Sequence, residues 1–137
     1  TIPSEFTCSG EGIQPEVTWD DIPSETKSLI LILDDPDAPA GTFTHWIVYN
    51  ISPDIHMIPE DFTDEPFPDG VRIGVNSALE NDYFPPCPPS GQEHHYLFTL
   101  YALNTSVIDE NLDREHIDAV INGHVIEKTI ISAVFKK

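Results

Sequence analysis

The sequence predicts a mostly β fold, an antiparallel β-sandwich with one helix late in the chain. Short runs rich in β-branched and aromatic residues alternate with proline clusters, as strands alternate with loops. The run from Leu29 to Leu33 is apolar at every position, which is typical of a strand covered on both faces. Helical periodicity occurs once, late in the chain, so the pattern is not one of alternating strands and helices.

The strands are expected in the runs that the proline clusters separate, and in one run near the C-terminal end. Their predicted ranges are 16–19, 28–35, 45–51, 71–76, 95–103 and 129–135. The helix is expected after Asp113, which can cap it, because Ile117, Val120 and Ile121 recur at the spacing of one helical face. Gly123 is placed to end this helix. The acidic stretch at 60–65 is expected to be a solvated loop.

Length and charge restrict the classes of function. A chain of 137 residues predicts one domain, over residues 1–137. Its 24 acidic and 6 basic side chains give a net charge of −18, which argues against binding to nucleic acid or to an anionic membrane surface. The apolar runs are too short for a transmembrane helix, and no leader peptide is evident. We therefore expect a cytoplasmic protein without integral membrane association.

Two segments bring polar side chains to points where a strand meets a proline-rich loop. Asp35 ends one predicted strand and His45 begins the next, so a hairpin would set the carboxylate beside the imidazole. Such a neighbour orients the ring and raises its pKa by charge attraction. The stiff loop at 85–91 leads to His94 and His95 at the start of another strand. We expect Asp35, His45 and His94 to converge at the mouth of one pocket.

Other interpretations of these residues remain open. An Asp at a strand end is commonly a turn acceptor, and a His beside Trp46 is commonly a hydrogen-bonded wall residue. Asp35, His45 and His94 form a mixture of ligands that a metal accepts, but no two have a spacing that places them on one element. The sequence has no nucleophile elbow and no phosphate-binding glycine loop. We therefore assign no metal, cofactor or catalytic residue, and expect a binding protein rather than an enzyme.

The motifs around these residues resemble those of the phosphatidylethanolamine-binding protein family, especially its bacterial and archaeal Raf-kinase-inhibitor-like branch. They are DPDAP at 35–39, HW at 45–46, PCPPSG at 86–91 and HHY at 94–96. The resemblance covers nearly the whole chain, in the family's order. It implies an antiparallel β-sandwich with a large central sheet, a smaller sheet and short C-terminal helical segments. It also implies a small pocket for phosphate or a phosphorylated headgroup. Carried over residue by residue, the pocket is lined by Asp35, His45, Pro89, His94 and Tyr96.

Departures from the family pattern also bear on this pocket. Phe84-Pro85 stands where relatives have Gly-Gly, which removes backbone donors and narrows the mouth. His95 stands at a position commonly occupied by Arg, which removes a fixed positive charge. The resemblance places Cys8 and Cys87 at the pocket end of the molecule, close enough to pair, whereas cytoplasmic thiols normally stay reduced.

The leading hypothesis is a small, soluble, non-catalytic protein that binds a phosphate-like anion. Attraction has to come from protonated His45 or His94 and from backbone amides, so binding should be weak and should strengthen on mild acidification. The alternative is a protein-interaction regulator, an inhibitor of a protease or kinase, as the family's labels suggest. Its contact element would be the loop at 85–91, because a rigid loop loses little entropy on docking.

Overall fold

The computed structural model describes residues 1–62 and 70–137. Within these ranges the chain forms a short 3₁₀ helix, β-strands and an α-helix. Their bounds are Ser4–Phe6 for the 3₁₀ helix, β1 Val17–Thr18, β2 Ser28–Asp35, β3 Phe43–Ile51, β4 Met57–Ile58, β5 Arg72–Ile73, β6 Glu93–Leu103, α1 Arg114–Ile121 and β7 Val125–Lys136.

The strands build one large and one small antiparallel sheet. The large sheet has five strands in the order β5-β3-β2-β6-β7, and β1 pairs with β4 in a separate two-stranded sheet. Neighbouring strands of the large sheet are antiparallel throughout. The expected mostly β fold with a large central antiparallel sheet is confirmed.

The central strand β2 supplies both faces of the core. Leu29, Leu31 and Leu33 pack into a cluster that includes Ile58 of the small sheet. The alternate residues Ile30 and Ile32 pack on the other face, in the cluster that contains Ile117 of α1. All of these side chains are buried. The prediction that the apolar run 29–33 is covered on both faces is therefore confirmed, because a layer lies on each side of the sheet.

Some observed strands begin or end at other residues than predicted, because a strand extends only as far as its neighbouring strand provides pairing partners. β2 has the predicted bounds, whereas β3 and β6 each begin two residues earlier than expected. β6 extends back to Glu93 because that residue still pairs with Lys136 of β7. β5 covers only Arg72–Ile73 of the predicted range 71–76, because β3 offers it only two partner positions.

The helix α1 has the expected cap and the expected buried residue. The Asp113 carboxylate accepts a hydrogen bond of 3.0 Å from the His116 backbone N–H, and Ile117 is fully buried. Gly123, just beyond the last turn, has φ of +84°, a conformation that glycine adopts without steric cost. In the part of the chain that the structure describes, no helix has the length and hydropathy that a membrane crossing requires.

The acidic stretch predicted as a solvated loop is only partly described. Glu60 and Asp61 lie in an exposed turn. Phe62 departs from the prediction, because its side chain is 7% exposed and belongs to the core cluster beneath the small sheet. Residues 63–65 lie outside the described residues.

Candidate functional site

A cavity of about 160 Å³ opens at one end of the inner strands of the large sheet, where β2 ends and β3 and β6 begin. Its wall combines apolar side chains with two histidines and one carboxylate. The lining residues are Asp35, Ala38, Pro39, Phe43, His45, Phe84, Cys87, Pro88, Pro89 and His94. The structure thus brings Asp35, His45, Pro89 and His94, four of the five residues named from the sequence, to one cavity.

Asp35 is a buried carboxylate whose two oxygens both accept hydrogen bonds. Oδ1 accepts from the backbone N–H of Asp37 at 2.8 Å, which holds the turn that follows β2. Oδ2 accepts from Nδ1 of His94 at 2.7 Å. Asp35 and His94 are each 4% exposed. The carboxylate therefore fixes both the loop and the orientation of the His94 ring.

His45 takes a partner that the sequence did not predict. Its Nδ1 lies 2.6 Å from the Phe84 carbonyl oxygen and donates to it. The expectation that Asp35 would orient this ring is wrong, because the cross-strand partner of Asp35 on β3 is Phe43. The pKa of His45 is lowered, since burial of the ring outweighs the Phe84 bond and the attraction of Asp35. The expected rise in its pKa is therefore also wrong.

The two rings share one chemical arrangement. Each Nδ1 faces an oxygen that can only accept, so Nδ1 carries a proton in both rings. Nε2 is then the second nitrogen of each ring, and it donates only when the ring is protonated; at His94 a ligand would have to replace the contact of Nε2 with Gln92. Nε2 of His94 lies 3.3 Å from Oε1 of Gln92, a residue that sequence reasoning missed. When the rings are protonated, their Nε2 atoms can donate to an anion. When the rings are neutral, these atoms can only accept.

Aromatic side chains form one wall of the cavity. The Phe84 ring centroid lies 5.4 Å from that of Phe43 and 5.8 Å from that of His45. The Phe84 backbone N–H donates to the His45 carbonyl oxygen at 2.9 Å, so it is not offered to a ligand. Phe84 therefore lines the cavity and offers it no backbone N–H, which agrees with the expected loss of that donor. Phe43 was missed, and its place opposite Asp35 in the hairpin is the signal that could have found it.

Tyr96 lies beside the histidines rather than in the cavity lining. Its ring centroid is 5.5 Å from that of His45 and 6.5 Å from that of His94. The side chain is fully buried, and its hydroxyl has no hydrogen-bond partner among the described residues. Burial, and then the charges of Asp35 and Asp37, raise the pKa of this hydroxyl, so it keeps its proton.

An exposed pair lies close to the buried site. The His95 backbone N–H and its ring Nδ1 both donate to Oδ2 of Asp37, at 2.7 and 2.8 Å. These bonds lower the pKa of Asp37, which keeps the carboxylate ionised. The His95 side chain is thus directed to a protein carboxylate.

A disulfide joins the N-terminal segment to the cavity wall. Cys8 and Cys87 are bonded, with their Cα atoms 5.4 Å apart. Two hydrogen bonds strengthen the junction, from the Cys8 N–H to the Pro86 carbonyl oxygen at 3.1 Å and from the Tyr83 hydroxyl to the Phe6 carbonyl oxygen at 2.7 Å. The pairing that the resemblance implied is present, and the reduced state expected of cytoplasmic thiols is not. Cys87 itself lines the cavity.

The donor set of the cavity is that of a hydrogen-bonding site. Within residues 1–62 and 70–137, no group of three or more His, Cys, Asp or Glu side chains is arranged to hold a metal ion. Asp35 and both Nδ1 atoms are already engaged in protein hydrogen bonds.

Comparison with known sequences identifies the family. A family model described as phosphatidylethanolamine-binding protein matches residues 1–136. A UPF0098 protein of Methanothermobacter thermautotrophicus is 41% identical over 138 residues, which cover 99% of this chain and 91% of that protein. A UPF0098 protein of Aquifex aeolicus is 38% identical over 139 residues, which cover 99% of this chain and 81% of that protein.

Solved structures agree with this match. A phosphatidylethanolamine-binding protein homolog from Chlamydia trachomatis superposes with a TM-score of 0.90 at 37% identity, over 99% of this chain and 89% of that one. YbcL of Escherichia coli, a member of the same family, superposes with a TM-score of 0.85 at 32% identity, over 96% and 85% of the two chains. The chain belongs to the phosphatidylethanolamine-binding protein family, in its bacterial and archaeal branch.

Proposed function

We propose that this protein is a non-catalytic binding protein whose cavity takes a small phosphate-like anion, free or as part of a headgroup. The observation that carries the proposal is the matched pair of buried histidines. Both rings have Nδ1 tied to a protein acceptor, and both line the same cavity. Two pre-oriented imidazoles lose little rotamer freedom when a ligand accepts from their Nε2 atoms.

The size and lining of the cavity support a small charged ligand. A water molecule occupies about 30 Å³ in the liquid, so about 160 Å³ leaves room for an anion of a few heavy atoms. Apolar walls with a few convergent polar groups are typical of ligand sites. The rings of Phe43 and Phe84 give the cavity an apolar wall, and a less polar surrounding strengthens charge interactions.

Charge sets the pH at which this site binds. Asp35 lines the cavity and the whole chain carries −18, so neutral histidines would leave an anion poorly compensated. Burial lowers the pKa of His45, and this ring therefore becomes a cation only below its ordinary range. A bound anion favours the charged ring. Affinity is therefore expected to rise as the pH falls.

Calorimetric titration with sulfate tests this pH dependence. Sulfate keeps its charge across the range in which histidine titrates, so a change in affinity reports on the protein. We expect tighter binding at about pH 6 than at about pH 8. Equal or tighter binding at the higher pH would overturn the proposal. Phosphate and phosphoethanolamine titrations then distinguish a free ion from a headgroup.

Replacing His94 tests the site directly. His94→Asn keeps a donor toward Asp35 but removes Nε2, so the variant loses one charge-assisted hydrogen bond to the anion. Such a bond contributes roughly 1.5–3 kcal/mol, which is about a ten- to hundred-fold loss of sulfate affinity at low pH. The matched control is His95→Asn, since that ring is exposed and bound to Asp37. Unchanged affinity in a folded His94→Asn protein would contradict the assignment.

The anchored loop supports a second candidate, inhibition of a protease or kinase by surface docking. Cys87, Pro89 and Ser90 are exposed, and the disulfide to Cys8 holds the loop in place. A loop restrained in this way loses little entropy on contact. Assays against purified proteases and kinases test this candidate. Ser90→Arg is expected to weaken any inhibition, and inhibition unaffected by that change would place the contact elsewhere.

A further inference from the structure

We propose that the bond between Cys8 and Cys87 is an exchangeable disulfide that switches the anion cavity between two affinities. In the oxidised form the bond holds one wall of the cavity in place, and a dithiol reductant releases this wall. The switch rests on the proposed function, because anion affinity is the quantity that it changes. It goes beyond that function by assigning a regulatory modification to the same site.

The disulfide connects a lining residue of the cavity to a second segment of the chain. Cys87 lines the cavity together with both histidines, whereas Cys8 belongs to the N-terminal segment. This segment packs directly on the loop at 85–91, since a Cβ on Gly12 would lie 2.8 Å from Cγ of Pro85. A change in the position of Cys87 therefore changes the wall that faces the ligand.

The backbone of this wall has few hydrogen bonds of its own. Four of the six residues at 85–90 are prolines, which have no N–H to donate. In the part of the chain that the structure describes, the N–H groups of the other two, Cys87 and Ser90, donate no hydrogen bond. The Pro86 carbonyl oxygen accepts from the N–H of Cys8, which is the disulfide partner itself. The segment thus depends on the disulfide and on packing for its position.

The wall also holds one of the two histidines. The Phe84 carbonyl oxygen accepts from Nδ1 of His45 at 2.6 Å, and the Phe84 N–H donates to the His45 carbonyl oxygen at 2.9 Å. Because Pro85 follows Phe84 directly, movement of the loop displaces the carbonyl group that sets the tautomer of His45. Reduction should therefore lower the fraction of molecules whose cavity can bind an anion. Apparent affinity falls in proportion to that fraction.

Solvent reaches the disulfide, as thiol exchange requires. Both cysteines are exposed, and exposed disulfides are the labile ones. A thiolate of the reductant attacks one sulfur, which forms a mixed disulfide and releases the other cysteine as a thiolate that takes up a proton. The second thiol of the reductant then loses its proton and displaces the first cysteine. Two electrons thus pass to the protein, and the products are two cysteine thiols and the cyclic disulfide of the reductant.

Sulfate titration of the oxidised and the reduced protein tests the switch. The protein is reduced with dithiothreitol, which is then removed under nitrogen, and calorimetry at about pH 6 measures the affinity of each form. If the released wall is ordered about a tenth of the time, affinity falls about tenfold, and reoxidation restores it. Cys8→Ser/Cys87→Ser should bind as weakly as the reduced protein and should not respond to the dithiol.

Two outcomes of this titration contradict different statements. Equal affinities of the oxidised and the reduced protein would overturn the switch and leave the proposed function intact. Absence of sulfate binding by the oxidised protein would overturn both.

Amide hydrogen exchange separates release of the wall from unfolding of the whole domain. The Phe84 amide should exchange faster after reduction, because its bond to His45 opens with the wall. The Ile32 amide, in β2 between β3 and β6, should remain protected in both forms. Equal acceleration of both amides would indicate global unfolding, and acceleration of neither would indicate a wall held by packing. Either result would overturn the proposal.

Reciprocity between binding and reduction provides a further measurement. A ligand that prefers the oxidised form shifts the disulfide equilibrium by the ratio of its two affinities. In a buffer of reduced and oxidised dithiothreitol, saturating sulfate should therefore favour the disulfide about tenfold more than NaCl does at the same ionic strength. His94→Asn, which is expected to bind sulfate weakly, should lose most of this shift. An equilibrium that sulfate leaves unchanged in the wild type would overturn the switch.

Discussion

At the scale of single residues, the acceptor opposite each Nδ1 decides what the two pocket histidines do. His94 faces the Asp35 carboxylate and His45 faces the neutral Phe84 carbonyl. Both acceptors set the same tautomer, which is how hydrogen bonding controls histidine chemistry in general. The neutral acceptor gives His45 less compensation for burial, and its pKa falls accordingly. His45 and His94 thus line one cavity but face different acceptors, one neutral and one a carboxylate.

The lowered pKa of His45 predicts a pH dependence of stability. The pKa of His45 is lowered from 6.5 in the folded protein, so below that value the unfolded chain binds a proton that the folded protein resists. The free energy of unfolding should therefore decrease as the pH falls from about 7 toward 5. His45→Asn keeps a donor to Phe84 but does not titrate, so its decrease should be smaller.

Urea unfolding of both proteins at several pH values measures this effect. Other groups titrate alike in the two proteins, so the difference between their pH slopes isolates His45. Parallel slopes would show that this ring titrates normally in the folded state. Added sulfate should reduce the decrease in the wild type, because an anion in the cavity stabilises the charged ring.

At the scale of elements, the N-terminal segment and the proline-rich loop act as one unit. The disulfide, the Cys8 to Pro86 hydrogen bond and the Tyr83 to Phe6 hydrogen bond all join them. Proline residues leave this loop few backbone donors with which to form regular structure. Side-chain and cross-segment bonds therefore position the wall of the cavity.

Replacing both cysteines by serine should destabilise the fold markedly. The bond joins residues 79 positions apart, and the chain-entropy model assigns a loop of this size about 4 kcal/mol. Denaturant unfolding of Cys8→Ser/Cys87→Ser against the oxidised wild type measures the change. The wild type with a dithiol reductant should match the variant. A loss well below 1 kcal/mol would show that the remaining contacts hold this unit without the bond.

At the scale of the whole molecule, the dominant quantity is the net charge of −18. Charges of one sign repel more strongly in the folded protein than in the expanded chain, so the excess destabilises the compact state. Salt shortens the reach of this repulsion from about 30 Å at 0.01 M to about 3 Å at 1 M. We therefore expect NaCl to raise the thermal midpoint of unfolding.

A charge variant provides the control for this salt effect. Glu25 is exposed, and Glu25→Lys makes the net charge less negative by two. The variant should unfold at a higher temperature in low salt and should gain less from NaCl than the wild type. Calorimetric scans across the salt series measure both effects. A midpoint that falls with NaCl would show that specific ion pairs outweigh the general repulsion.

The sequence by itself determined the local structure. The buried strand β2 could be predicted from its continuous apolar run, and the start of α1 from the Asp113 cap and the spacing of Ile117. Both features depend on residues close together in the sequence. The residues of these motifs line a cavity where β2 ends and β3 and β6 begin. Spacing did not reveal which histidine Asp35 would bind.

Only the tertiary structure decided which hydrogen-bond partner each polar side chain of the cavity has. Asp35 bonds to His94 at a separation of 59 residues, and His45 bonds to Phe84 at a separation of 39. Both contacts depend on strand order and register, which arise when β2 is inserted between β3 and β6. The burial that lowers the pKa of His45 likewise comes from walls supplied by distant segments. Local sequence specifies elements, whereas long-range packing assigns each polar group its partner and its solvation.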